Sequence, residues 1–358
     1  MSILFALLAA LGWGSSDFAA GHASRRSSAV SVVVLTHTAS FIALVAISLV
    51  PGQAGAPGVP DLLWGLAAGL AGGAGAMLLF RGLGRGSMSV VAPVTATGAA
   101  LVPVFAGLVQ GETIGSLGLL GVLLAICAIV LVSLAGADTD DDPSDGHGGP
   151  VTESGLSVAA GPAMHAAAGR DLLPSGPGNI EADGHGVVGV IEAPVVAVAH
   201  VTVAPVAAAT IEPPRRRRLV DVFRQPGMTD ALFSGVGFGL FFVLIAQTTE
   251  AAGHWPLVAA RFVSAAMFAA IAIVAFTPVF PEQRSQPAVI VAGLLDAAAA
   301  VFFVLSTRSG LLSVGAVLAS LYPAATVLLA RFVTGERITR LQLAGLALAG
   351  GAVSLLAI

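Results

Sequence analysis

Ten stretches of about twenty apolar residues, separated by short polar breaks, constrain this chain more than any other feature. The hydrocarbon core of a bilayer is roughly 30 Å thick, so a helix rising 1.5 Å per residue needs about 20 apolar residues to cross it. The sequence predicts such spans at 3–20, 29–50, 62–80, 87–109, 116–135, 229–247, 255–276, 288–306, 311–333 and 341–358. Composition agrees, since 56% of the 358 residues are hydrophobic and only 10% are charged. We therefore predict an all-α integral membrane protein whose main partner is the lipid bilayer.

The same composition argues against several classes of function. A net charge of -4 leaves no basic excess for a nucleic-acid partner, and the single cysteine, Cys127, excludes an internal disulfide and a thiolate metal cluster. The sequence contains no HExxH zinc motif, serine-triad context or paired-cysteine site. We therefore expect no metal, no cofactor and no enzymatic activity.

The segment 137–228 differs from the apolar runs on either side of it. It opens with five aspartates between positions 138 and 145, is rich in Gly, Ala, Pro and Val, and closes on the run Arg215 to Arg218. This composition is typical of an extramembrane, disordered linker. The linker would separate two membrane domains, 1–136 and 229–358.

The two predicted membrane domains are copies of each other at a shift of 224 residues. His37 falls on Arg261, and Gly111-Glu112 falls on Gly335-Glu336. Each copy holds five predicted spans, and an odd number of spans makes the second copy enter the membrane from the opposite side. Inverted repeats of this kind are the architecture of many secondary transporters.

Three short motifs in this order resemble a known family. GWGSSDF stands at 12–18, SLYP at 320–323 and GERI at 335–338, and together they resemble the ten-span EamA branch of the drug/metabolite transporter (DMT) superfamily. The resemblance implies a secondary transporter in the cell (inner or plasma) membrane, commonly an exporter of metabolites or amino acids. It also implies two four-helix cores around a central cavity, with the fifth and tenth helices at the periphery.

Charged side chains inside spans indicate where chemistry is located, because each costs roughly 2.5–3.5 kcal/mol or more near the bilayer centre. Asp17, His37, Arg261 and Asp296 lie within predicted spans, and we take them as candidates for binding substrate or protons. Alternatives stay open for each. Arg261 and Asp296 could form a purely structural pair, Asp17 could lie at the membrane interface, and His37 could be an ordinary interior histidine.

Three further side chains in the predicted spans have expected positions at the cavity or at the membrane interface. Trp13 lies one helical turn before Asp17, and Tyr322 lies beside a proline where the ninth span should kink. Both are candidates for lining the cavity, although packing would also explain Tyr322. Arg81, at the end of the third span, is expected to extend its charge to the interface.

A second group of residues is predicted to have structural roles. Glu112 and Glu336 each follow a glycine, Gly111 or Gly335, where a span ends and a short turn begins. Pro323 is the expected source of the kink in the ninth span.

We therefore expect a secondary transporter that exports small metabolites or drug-like solutes by alternating access, with proton coupling as an option. The alternatives are a membrane scaffold or channel and, more remotely, a membrane-embedded enzyme. A small-molecule substrate is implied, and a homodimer stays open. Orientation is disputed: the excess of arginine in the loops that include the linker places them in the cytoplasm, with both termini outside. Family precedent puts both termini inside.

Overall fold

The computed structural model describes residues 1–24, 26–50, 55–83, 88–135, 227–335 and 337–357. These residues form helices and turns without a strand, and they belong to one compact unit. The all-α class is confirmed. The predicted linker lies outside the described residues, except for Gly227 and Met228 at its end.

Eleven α-helices, a short 3-10 helix (Glu250–Ala252) and a short π-helix (Ala330–Thr334) are found in the described part of the chain. In chain order, the α-helices are α1 (Ser2–Ser24), α2 (Ala29–Ser48), α3 (Val59–Leu83), α4 (Met88–Val109), α5 (Ser116–Ala135), α6 (Met228–Ala246), α7 (Trp255–Val274), α8 (Gln286–Arg308), α9 (Leu312–Ala319), α10 (Tyr322–Leu329) and α11 (Arg340–Leu356).

The lengths and apolarity of these helices confirm a multi-pass membrane protein. Within the described residues, nine segments are long and apolar enough to span a bilayer, and α9 and α10 together make the ninth of them. The apolar helix α11 has 17 residues and occupies the place of the predicted tenth span.

The ninth span is interrupted directly before Pro323, where the sequence predicted a kink. Helix α9 ends at Ala319 and α10 begins at Tyr322, so the span is interrupted at Ser320 and Leu321. Pro323 lies in the first turn of α10, where its missing N–H costs nothing. By contrast, the fourth span is one continuous helix although it contains Pro93 and Pro103.

Eight spans form a ring in which the two halves of the chain alternate. The order of contacts around the ring is α1, α8, α2, α7, α3, α6, α4, α9 and back to α1, and α10 also packs against α1. Helices α5 and α11 pack chiefly on each other, and α5 also packs on α4. The fifth and tenth spans therefore lie beside the ring rather than in it.

Small residues allow the helices of the ring to approach closely. Gly65 and Gly69 on α3 leave no room for a Cβ atom, because it would meet the backbone of Pro256 or Ala260 on α7. The Ser264 hydroxyl of α7 donates to the Gly69 carbonyl at 3.1 Å. Without a hydrophobic driving force in lipid, close backbone packing and hydrogen bonds of this kind hold helices together.

Two sides of the molecule follow from the topology. We call the side where α1 begins and α11 ends the terminal side, and the opposite side, where α5 ends and α6 begins, the linker side. The α6–α7 and α8–α9 loops lie on the terminal side, and the α7–α8 loop lies on the linker side.

Candidate functional site

A single carboxylate in the middle of α8 joins four helices. The Asp296 Oδ1 atom accepts hydrogen bonds from Trp13 Nε1 of α1 at 3.1 Å and from Arg261 Nη2 of α7 at 2.7 Å. Its Oδ2 atom accepts one from Ser40 Oγ of α2 at 2.7 Å. We call these four residues the Asp296 network. It joins both halves of the chain about halfway along α8.

The ion pair within the Asp296 network is almost fully buried. The side chains of Arg261 and Asp296 are 9% and 10% exposed, so each charge loses most of its hydration. The Arg261 guanidinium also lies 5.4 Å from the centre of the Phe241 ring, where a cation is attracted to the aromatic face. Buried pairs are favourable only when their geometry and additional hydrogen bonds compensate for desolvation. The donors from Trp13 and Ser40 supply that compensation for Asp296, whereas the buried Nε atom of Arg261 has no hydrogen-bond partner among the described residues.

Aromatic rings fill the ring of helices on one side of this network. Trp13 packs against Phe242 of α6 and Phe303 of α8 at centroid distances of 5.5 and 5.8 Å, and those two rings are 4.5 Å apart. Phe303 follows Asp296 by two turns on α8, toward the terminal side. This aromatic cluster of Trp13, Phe242 and Phe303 therefore packs between the network and the terminal side.

The second intramembrane acid lies on the linker side of Trp13. Asp17 is one helical turn beyond Trp13, so both side chains share a face of α1. Helix α1 continues for seven residues past Asp17, to Ser24, so Asp17 is not a helix-end residue. Its carboxylate interacts electrostatically with Asp296 and Tyr322, but it makes no hydrogen bond or ion pair with any residue that the structure describes.

A close helix contact places Tyr322 beside Asp17. The carbonyl oxygen of Gly14 accepts a hydrogen bond from Thr326 Oγ1 of α10 at 3.1 Å. A Cβ atom on Gly14 would lie 2.5 Å from the Tyr322 carbonyl oxygen and 2.6 Å from the Ala325 Cβ. The absence of a side chain at Gly14 thus lets the start of α10 lie against α1.

His37 lies near the network on α2. Its ring meets the ring of Phe268 edge-on at 5.8 Å, and it interacts electrostatically with Arg261 and Asp296. Its Nδ1 atom is buried and has no hydrogen-bond partner among the described residues.

The structure thus gathers the six predicted site residues around one interior region. Their roles remain predictions. These residues are Trp13, Asp17, His37, Arg261, Asp296 and Tyr322. The described part of the chain contains no group of three or more His, Cys, Asp or Glu side chains placed to hold a metal ion.

The residues expected to be structural lie outside the Asp296 network. Gly111 and Gly335 adopt positive φ angles of 89° and 75°, which glycine tolerates at a helix end. The Glu112 carboxylate accepts hydrogen bonds from the backbone N–H groups of Leu312 at 2.5 Å and Ser313 at 3.1 Å. It therefore caps α9 of the other half of the chain. Glu336 lies outside the described residues.

A polar cluster on the terminal side was not predicted. Asp61 Oδ1, at the start of α3, accepts a hydrogen bond from the Thr249 N–H at 2.8 Å, and Oδ2 accepts one from the Thr249 hydroxyl at 3.2 Å. Arg308 Nη2, at the end of α8, donates to the carbonyls of Thr249 and Gly253 at 3.0 Å each. We call these residues the terminal clamp, because they hold the α6–α7 loop over the ring. Burial, and secondarily Arg308, lowers the pKa of His254 in this loop, so its imidazole is neutral at pH 7.

Arg81, which was predicted to extend its charge to the interface, also forms an ion pair there. Its Nε and Nη2 atoms donate to Asp230 Oδ1 of α6 at 3.0 and 2.6 Å, although the Arg81 side chain is 49% exposed. This contact joins the two halves on the linker side.

The main residue missed inside the site is Ser40. The internal repeat carried a usable signal, because Ser40 falls on Ser264 at the same shift that pairs His37 with Arg261. Ser264 also uses its hydroxyl to bond another helix. The Asp61 and Arg308 contacts had no such signal, since they depend on which loops meet in space.

Comparison with known proteins gives a family match over nearly all the membrane helices. The model of the EamA-like transporter family matches residues 1–134 and 225–358. A search of curated proteins finds no match. One solved structure, described only as the crystal structure of a protein, is 17% identical, with a TM-score of 0.61 over 99% of this chain and 95% of its own. At that identity the likeness shows the fold alone.

Proposed function

Because the chain belongs to the EamA-like transporter family, we propose that it is a secondary transporter that exports small metabolites or drug-like solutes by alternating access. The observation that carries this proposal is the Asp296 network, a buried charged site where the two inverted halves meet. Intramembrane charges are expensive and commonly mark substrate or ion pathways. Sites at the midplane between inverted repeats can open to either side when one half moves against the other.

The site breaks the symmetry of the repeat, which favours a single bound solute over symmetric packing. At the shift of 224 residues, Asp17 falls on Phe241 and Asp296 falls on Gly72. In the structure, Phe241 ring atoms approach to 3.3 Å from the position of a Cβ on Gly72. The helix pair α1 and α8 therefore carries two acids, one from each half, where the equivalent pair α6 and α3 places a phenyl ring against a glycine.

We propose that proton binding at one of the two acids is coupled to transport. Asp17→Asn and Asp296→Asn each remove a titratable group and nearly preserve its size, so a coupled acid should change the pH dependence of flux when replaced. The measurement is flux into vesicles over a series of internal and external pH values. Unaltered pH profiles in both stable variants would show that neither acid carries the coupling proton.

We also propose that the linker side faces the cytoplasm of a cell bounded by this plasma membrane. Arg26, Arg81 and Arg284 lie on that side, whereas Arg308 lies on the terminal side, and basic loops stay cytoplasmic. The test uses a Cys127→Ala chain carrying Gln283→Cys or Gln110→Cys, two exposed positions on opposite sides. In intact cells an impermeant thiol reagent should label only Gln110→Cys. Labelling of only Gln283→Cys would reverse the orientation.

Transport itself is tested by counterflow. Cells that overproduce the chain are screened for resistance to a panel of toxic solutes, with cells that do not produce it as the matched control. A solute that gives resistance is then loaded into proteoliposomes, and entry of a trace of labelled solute against the loaded pool is measured. An alternating-access carrier accelerates that exchange and saturates, whereas a channel gives no accumulation of label. A scaffold gives no flux, and an enzyme changes the solute chemically.

A further inference from the structure

The two intramembrane acids differ in how many hydrogen bonds their carboxylates accept. Asp296 accepts three hydrogen bonds, and one of its donors is the cationic guanidinium of Arg261. Asp17 accepts none from the described residues, and the like-charged Asp296 acts on it electrostatically. An intramembrane carboxylate without a donor is costly unless a cation or proton reaches it. Asp17 is therefore the acid with capacity left for a ligand.

The surroundings of Asp17 offer apolar and aromatic contact. Trp13 lies one turn away on the same face of α1, and its own direction is fixed by its bond to Asp296 and by the aromatic cluster. Tyr322 is close enough for Asp17 to act on it electrostatically, and the contact of α10 with Gly14 holds its backbone against α1. Asp17, Trp13 and Tyr322 are all partly exposed in the structure. A carboxylate flanked by an indole and a phenol can take a positive charge on an apolar body.

The region around Asp17 and Asp296 has an excess of negative charge when both acids are ionised. The guanidinium of Arg261 compensates Asp296, to which it is bound at 2.7 Å. The other polar groups that act on this region from neighbouring helices are His37 of α2 and Tyr322 of α10, and neither is a permanent cation. When Asp17 is ionised, the region therefore carries one uncompensated negative charge.

We infer that Asp17 binds the ammonium group of the transported solute, so that the substrates are small organic amines with one positive charge and an apolar body that packs on Trp13 and Tyr322. This inference rests on the proposed transport function. It assigns different roles to the two acids: Asp17 contacts the solute, and Asp296 is a positioning residue that orients Trp13.

The inference is tested by binding, with three probes of similar size and different charge. Phenethylamine, 2-phenylethanol and phenylacetate are equilibrated with the full chain in lipid nanodiscs, and bound probe is measured by equilibrium dialysis. We expect the amine to bind at least tenfold more tightly than the alcohol or the acid. Asp17→Asn should lose at least tenfold in amine affinity, whereas Glu282→Gln, an exposed acid on the linker side, should lose none. Equal binding of amine and alcohol, or no effect of Asp17→Asn, overturns the inference.

A second measurement covers the case in which Asp17→Asn fails to fold. The unaltered chain is treated with a hydrophobic carbodiimide, which modifies accessible protonated carboxyl groups, and the modified peptides are identified by mass spectrometry. We expect modification of Asp17 and not of Asp296, and protection of Asp17 by phenethylamine. Modification of Asp296 instead, or no protection, overturns the inference.

Flux measurements separate this inference from the proposed function. Amine binding that depends on Asp17, without any counterflow, would count against the transporter and leave the site standing. Counterflow of neutral or anionic solutes that is unchanged by Asp17→Asn would establish the transporter and overturn the amine site.

Discussion

The Arg261–Asp296 pair is the most expensive feature of this molecule at the scale of single residues. The two side chains are only 9% and 10% exposed, each charge depends on the other, and Asp296 also accepts hydrogen bonds from two neutral donors. Replacing a whole buried pair is often tolerated, but removing one partner leaves an uncompensated charge and commonly costs about 3–5 kcal/mol. The pair should therefore behave as one unit.

Arg261→Met should lower the unfolding free energy in detergent by about 3–5 kcal/mol, because it leaves the Asp296 carboxylate unpaired. Adding Asp296→Asn should restore most of that loss, since the uncharged amide can still accept a hydrogen bond from Trp13 through its oxygen and donate one to the Ser40 hydroxyl through its NH2 group. Denaturant-induced unfolding of the two variants and the parent chain provides the comparison. A double variant no more stable than Arg261→Met would show that the charges do not compensate each other.

The sequence identified the charged residues of the site more readily than their partners. Asp17, Asp296, Arg261 and His37 could be predicted because a charge or imidazole inside an apolar run is conspicuous. Ser40 was missed because a serine in a span is common and its role depends on α2 meeting α8. The order of the ring, in which the halves alternate, is likewise a property of tertiary packing that no single span encodes.

At the scale of helices, the interrupted ninth span is the feature that hydropathy did not reveal. Ser320 and Leu321 are unremarkable in composition, and the ends of most other spans were predicted within a few residues. The break leaves α9 as a short helix of eight residues whose N-terminus needs acceptors of its own. Glu112 of the other half supplies them.

Glu112→Ala should destabilise the chain by about 1 kcal/mol, because it removes a charged acceptor from two free N–H groups at the positive end of α9. Glu112→Gln, which keeps one acceptor oxygen, should cost less. The exposed Glu250→Gln on the same side is the control and should have no effect. Thermal unfolding in one detergent measures all three, and a Glu112→Ala variant with parental stability would contradict the capping role.

Gly14→Ala should separate α1 from α10 and abolish transport. A Cβ there would lie 2.5 Å from the Tyr322 carbonyl oxygen, so one of the two helices has to shift, and the region around Asp17 with it. Gly21→Ala on the same helix meets nothing within 4 Å and should keep full activity. Counterflow of both variants decides the matter. Equal activity would mean that the α1–α10 contact is not needed for transport.

For the whole molecule, the aromatic cluster and the terminal clamp close the same side. Phe242 and Phe303 pack against Trp13 inside the ring, and Asp61 and Arg308 hold the α6–α7 loop at its end. In the proposed transport cycle, these contacts have to break before a solute can leave toward the terminal side. Their strength should therefore set how often that side opens.

Asp61→Asn combined with Arg308→Gln should increase opening of the terminal side about fivefold or more, because several hydrogen bonds each contribute about 1 kcal/mol and tenfold in an equilibrium is 1.4 kcal/mol. The reporter is Ser306→Cys in a Cys127→Ala chain, a fully buried and nearly isosteric position on α8. Its reaction rate with an impermeant thiol reagent added from the terminal side should rise in the double variant. Glu282→Gln, at an exposed acid on the linker side, should not change that rate. An unchanged rate in the double variant would show that the clamp does not limit opening.

Transport should survive removal of most of the segment between the two halves. The family match stops at residue 134 and resumes at 225, and every residue of the Asp296 network lies outside that interval. Helix α5 ends on the linker side and α6 begins there, so a connector only has to join two points on one face of the membrane. A flexible chain of about 20 Gly and Ser residues has a typical end-to-end distance of about 25 Å.

Replacing 140–224 by such a chain should leave counterflow and its pH dependence at the parental level, provided the variant inserts to the same extent. Loss of flux in a fully inserted variant, with amine binding at Asp17 retained, would assign the segment a part in the conformational cycle rather than in the site.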